Sequence, residues 1–84
     1  MKQFTIVLEP DPDGGYTVFV PTLPGCITHG FNESIAVDNA SVLIPHFCED
    51  MEYDGDIVPD EGTTDVDLSS CEKGAYTKIV EVNI

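Results

Sequence analysis

Hydrophobic and polar positions alternate from Gln3 to Glu9, with Phe4, Ile6 and Leu8 on one side and Gln3, Thr5, Val7 and Glu9 on the other. A period of two predicts a strand with one better-buried face. Pro10-Asp11-Pro12-Asp13-Gly14-Gly15 follows, and its glycine pair is able to take the positive φ of a tight turn. Tyr16 to Val20 then alternates again, Tyr16, Val18 and Val20 against Thr17 and Phe19, so the first two strands form a hairpin. Pro21-Thr22-Leu23-Pro24-Gly25 stops the second strand and turns the chain. The run Cys26 to His29 predicts a short third strand, at or near a sheet edge, before Gly30.

Beyond Gly30 the period lengthens. Asn32 suits an N-cap, Glu33 suits the positive end of a helix, and Ala36, Ala40, Leu43, Phe47 and Met51 recur at helical spacing. A helix of about five turns, from near Glu33 to near Tyr53, is expected to lie on the sheet. Val37, Val42 and Ile44 fall outside that stripe, which leaves apolar surface for a second subunit. Pro45 removes a backbone donor inside this helix, at a cost of about 3 kcal/mol or more, and predicts a kink or two helical pieces. Asp54-Gly55-Asp56 ends it, Ile57-Val58-Pro59 reads as an extended link, and Pro59 to Gly74 reads as an acidic surface loop with a short strand near Asp65 to Leu68. Ala75 to Ile84 alternates once more as the last strand, with Tyr76, Val80, Val82 and Ile84 on one side and Lys78 interrupting it. The order β-β-β-α-β defines an α+β fold with one long helix on one face of a mainly antiparallel sheet, as a single domain over residues 1–84.

At 84 residues the core is marginal unless chains associate, so a homodimer or higher homo-oligomer is expected. Three Lys and no Arg stand against 16 acidic residues, a net charge of −13. Such a surface repels nucleic acid and anionic lipid and favours a basic protein partner, although acidity also serves plain solubility. Three cysteines, at 26, 48 and 71, are an odd number without close pairing, which points to a reducing, cytoplasmic compartment. No apolar run approaches the roughly 20 residues of a membrane span.

Candidate chemistry is sparse. Glu9, Asp11 and Asp13 resemble strand-borne acids of a two-metal nuclease, yet Asp in such a turn serves its geometry first. Cys26 and His29, with Cys48 or His46, form one loose pair where structural zinc sites show two; Cys26 reads as a buried residue and His29 as an exposed one. A Cys-His nucleophile lacks an orienting group. No catalytic residue, cofactor or metal is therefore assigned. Nine acids and no cation lie between residues 49 and 67, and the partner-facing set is taken as Asp11, Asp13, Glu49, Asp50, Glu52, Asp54 and Asp56. A solvated helix end and loop is the bland alternative.

The residues Phe4 to Glu9, then Pro12-Asp13-Gly14-Gly15-Tyr16, then Val20-Pro21-x-Leu23-Pro24-Gly25-Cys26-x-Thr28-x-Gly30, followed by Ala36, Ala40, Gly55 and Val58-Pro59, resemble the N-terminal domain of HicB-type antitoxins. Gly14, Gly15, Tyr16, Pro21, Pro24 and Gly25 are the scaffold positions of that pattern. The resemblance implies a partial ribonuclease H-like fold, the same element order as periodicity gives. It also implies an antitoxin that neutralises a small basic HicA-type toxin, an mRNA-cleaving enzyme, with no reaction of its own. Many HicB proteins continue into a DNA-binding domain, whereas this chain ends at its last predicted strand, so operator binding is not implied. Family helices usually carry Glu before the first Ala, where this chain has Ile35, and Pro45 stands where helix formers are usual. An oligomeric regulatory or ligand-binding domain without a toxin is the alternative reading of the same scaffold.

Overall fold

The structure, a computed structural model, describes residues 2–56, 68–69, 71 and 73–83. Its elements run β1 (Lys2–Pro10), β2 (Tyr16–Phe19), β3 (Ile27–Gly30), α1 (Glu33–Tyr53) and β4 (Tyr76–Val82). All pairings are antiparallel, in the sheet order β3-β2-β1-β4. The extended link at 57–59, most of the acidic loop and the short strand near Asp65 fall outside the described residues.

Central β1 is buried more deeply than its alternation predicts. Phe4, Ile6 and Leu8 face α1 and are fully buried, and on the opposite face Thr5 and Val7 are buried too. Cross-strand partners explain this: Val7 lies opposite Phe19 and Thr5 opposite Ile79, so apolar neighbours flank it on the outer face as well. β3 is an edge strand, as expected. Between β2 and β3, Leu23 N–H donates to Val20 O at 3.0 Å and Cys26 N–H to Leu23 O at 2.9 Å, which drives Leu23 into the core.

The helix starts and stops where its capping residues direct. Asn32 Oδ1 accepts from Ile35 N–H at 2.9 Å, and Gly55, at φ +85°, closes the C-terminus with its N–H on Glu52 O. Two expectations need correction. The buried stripe is Ala36, Ala40, Ile44 and Cys48, a run of four-residue steps, with Leu43, Phe47 and Met51 half-buried beside it. Ile44 therefore belongs to the core and not outside it. Of the two outcomes expected at Pro45, the split into two helical pieces does not occur: one helix runs through it, because burial of Ile44 and Cys48 on either side outweighs the lost donor.

Lys78 interrupts the apolar side of β4 for a reason the structure supplies. Its Nζ lies 2.6 Å from Glu33 Oε1 in the first helical turn, and the Tyr76 hydroxyl donates to Glu33 Oε2 at 2.5 Å. These contacts hold the Glu33 carboxyl below its ordinary pKa, the Lys78 bond contributing most and the Tyr76 bond next. Tyr76 also meets Tyr16 edge-to-face, ring centroids 6.3 Å apart, so the helix start is tied to both β2 and β4.

Candidate functional site

The β1–β2 turn closes on two backbone bonds of 3.0 Å, Asp11 N–H to Gly15 O and Gly14 N–H to Asp11 O. It packs against the end of β3: a Cβ on Gly15 would sit 2.7 Å from Gly30 O, and φ at Gly15 is +81°. This closeness brings the Asp11 carboxylate to Thr17, whose hydroxyl donates to Oδ1 at 2.9 Å with Oδ2 at 3.2 Å. Register does the rest. Thr17 pairs with His29 across β2 and β3 on the outer face, and Thr17 Oγ1 lies 3.2 Å from His29 Nδ1.

Beside this chain of three polar groups lies a groove of about 350 Å³, walled by Asp11, His29, Phe31, Ile35 and Asn39. Asn39 Nδ2 donates to His29 O at 2.6 Å, fastening α1 to β3. Phe31 is 91% exposed, a ring held in water at the rim of the groove. Ile35, the position that departs from the HicB pattern, is 39% exposed and forms the helix side.

The arrangement is a set of acceptors more than a catalytic device. In a nucleophilic triad the carboxylate orients the imidazole, whereas here Asp11 bonds the hydroxyl and the imidazole stands on its far side. Cys26 and His29 do not meet: three residues apart on an extended segment, they fall on opposite faces, Cys26 buried in the core and His29 exposed. Burial, with the nearby Cys48 thiol adding to it, raises the Cys26 thiol to about 11, the reverse of an activated nucleophile. Among the described residues no three His, Cys, Asp or Glu side chains gather as a metal-binding group.

The seven acids assigned to a partner divide into two groups. Asp11 lines the groove at the start of α1 and Asp13 is exposed in the adjoining turn, whereas Glu49, Asp50, Glu52, Asp54 and Asp56 are exposed at the far end of the helix. Asn39 and Glu49 are ten residues apart, about 15 Å along the helix. Sequence reasoning did not single out Thr17, Phe31 or Asn39. Alternation put Thr17 on the outer face, but only the strand register shows that His29 is its neighbour.

No family model matches the chain. A UPF0150 protein of Thermoplasma acidophilum is 30% identical over 64 residues, which are 76% of this chain and 93% of that protein. The chain belongs to the UPF0150 family. A second UPF0150 protein, from Synechocystis, is 34% identical over 58 residues, 69% of this chain and 73% of its own length. Among solved structures, the HicB antitoxin of Burkholderia pseudomallei matches this UPF0150 chain with a TM-score of 0.77 at 27% identity, over all of this chain and 65% of the antitoxin. The N-terminal domain of that antitoxin alone matches at 0.75 and 26%, covering 98% of this chain and 99% of the domain. The UPF0150 chain thus has the α+β fold of a HicB N-terminal domain and spans about two thirds of the longer antitoxin. A chain of a HicA3 and HicB3 toxin-antitoxin complex shares the fold at TM-score 0.75 and 18% identity. Among the described residues no helix is long and apolar enough to cross a membrane.

Proposed function

We propose that this UPF0150 chain is an antitoxin that acts by binding. It occludes the RNA-binding and active surface of a small, basic, mRNA-cleaving toxin of HicA type and catalyses nothing itself. The observation that carries the reading is whole-chain likeness to a HicB N-terminal domain. Charge supports it: at −13 the chain complements a surface evolved to hold RNA phosphates. The far end of α1 adds to this, since Glu49, Asp50 and Glu52 stand at the negative end of the helix dipole with no basic residue in the last turn. Each such acid costs a few tenths of a kcal/mol, and a cationic partner relieves that cost. Residues 1–84 act as one HicB-like domain in the cytoplasm, self-associated as a dimer or larger.

The test is co-expression with a small basic toxin of HicA type, size-exclusion chromatography at low and high salt, and an RNA-cleavage assay. One complex at low salt, weakening steeply as salt rises, with cleavage lost at stoichiometric antitoxin, is the expected result. Undiminished cleavage in the presence of excess chain overturns the reading.

A further inference from the structure

The groove at the start of α1 has a chemical preference that follows from one proton. Thr17 has a single hydroxyl hydrogen, and both Asp11 and His29 Nδ1 lie within its reach. Turning an oxygen lone pair toward an ionised carboxylate 2.9 Å away is repulsive, so the hydrogen goes to Asp11. His29 Nδ1 must then carry a hydrogen of its own and donate it to Thr17 Oγ1. A neutral imidazole protonated at Nδ1 leaves Nε2, on the far side of the ring, as a bare acceptor.

The groove is therefore lined by a carboxylate, a ring-nitrogen acceptor, a solvent-exposed phenyl ring and the sec-butyl side chain of Ile35. Among the described residues no cation lines it. The amide of Asn39 is already committed to His29 O, which closes the free edge of β3 there and leaves side-chain insertion as the way in. Two acceptors beside an aromatic face match the planar, multi-donor fork of a guanidinium better than the compact charge of an ammonium.

We propose that this groove receives the side chain of an arginine projecting from a basic protein partner. Its guanidinium donates to Asp11 and to His29 Nε2, its plane lies against Phe31 and its methylene stem runs along Ile35. The inference rests on the toxin-binding reading and adds a specific contact at the start of α1 to the acidic one at its far end.

The experiment has two arms on the full chain. In the first, isotope-labelled protein is titrated with N-acetyl-arginine amide and followed by NMR. Shifts are expected at the amides of Gly14, Phe31 and Asn39 and at the His29 ring, absent in Asp11→Asn and His29→Phe and absent with the citrulline amide, which keeps the shape without the charge. Shifts elsewhere, or an equal response to citrulline, overturn the proposal; an equal response to lysine amide overturns the guanidinium assignment. In the second arm a small basic toxin of HicA type is the ligand, and Asp11→Asn and Ile35→Lys are each expected to weaken it about tenfold or more. Ile35→Lys, at a partly exposed helix position, fills the groove with a resident cation and reads the same site if the turn variant fails to fold. Unchanged binding by both variants overturns the inference and leaves the antitoxin reading standing. A failure of the wild-type chain to bind the toxin overturns that reading instead, and the arginine titration then decides the groove alone.

Discussion

Truncation of Ile44 separates what helical spacing predicts from what packing decides. Spacing from Ala36 through Leu43, Phe47 and Met51 leaves Ile44 off the stripe, yet it is fully buried in the cluster that joins α1 to β1 and β2. Ile44→Ala removes three carbon atoms from that cluster. At about 0.8 kcal/mol per buried carbon group the transfer loss is about 2.4 kcal/mol. A site whose walls are held by both sheet and helix relaxes poorly, so a cavity contribution carries the loss into the range of about 2–5 kcal/mol seen for such truncations. An 84-residue domain has on the order of 4–13 kcal/mol in total, so the variant forfeits a large fraction of it. Urea unfolding followed by far-UV circular dichroism measures this as a lower midpoint at unchanged slope. The control is Val42→Ala, where the side chain is 63% exposed and alanine favours the helix; it is expected within about 0.5 kcal/mol of the parent. If Ile44→Ala lowers the midpoint no more than Val42→Ala does, the packing argument is wrong.

Other substitutions test separate parts of the structure. Gly14 and Gly15 both have positive φ, +99° and +81°, but only Gly15 has Gly30 O in the space a Cβ would take, so Gly15→Ala is expected to cost clearly more than Gly14→Ala, by about 1 kcal/mol or more in the same unfolding assay. Glu33, whose carboxyl is held below its ordinary value of 4.5, favours the folded state above that pH, and the contribution is lost as pH falls through the depressed folded value. Midpoints measured between pH 6 and 3 are therefore expected to fall more steeply for the parent than for Glu33→Gln; parallel profiles refute the assignment. Glu52→Gln, which removes an acid from the negative end of α1, is expected to raise the stability of the isolated chain by a few tenths of a kcal/mol while weakening the toxin complex at low salt. A loss on both counts, read by urea unfolding and calorimetric titration, contradicts the charge argument.

Periodicity by itself determined the element order, the hairpin and the helix ends, because strand and helix repeats, glycine turns and an Asn cap act over a few residues. Asn32 and Gly55 mark the ends of α1 in the sequence as they do in the structure. It also determined the electrostatic character, since a count of charges needs no coordinates. Tertiary structure decided the rest, where a residue's role depends on a neighbour distant in the chain. Pro45 stays helical because its flanks are buried, Lys78 breaks an apolar pattern because Glu33 is 45 positions away yet in contact, and Thr5 is buried because β1 is central. The groove is the clearest case: Asp11, Thr17 and His29 are unremarkable singly, and only the β2–β3 register, with a turn folded back on its end, sets them side by side.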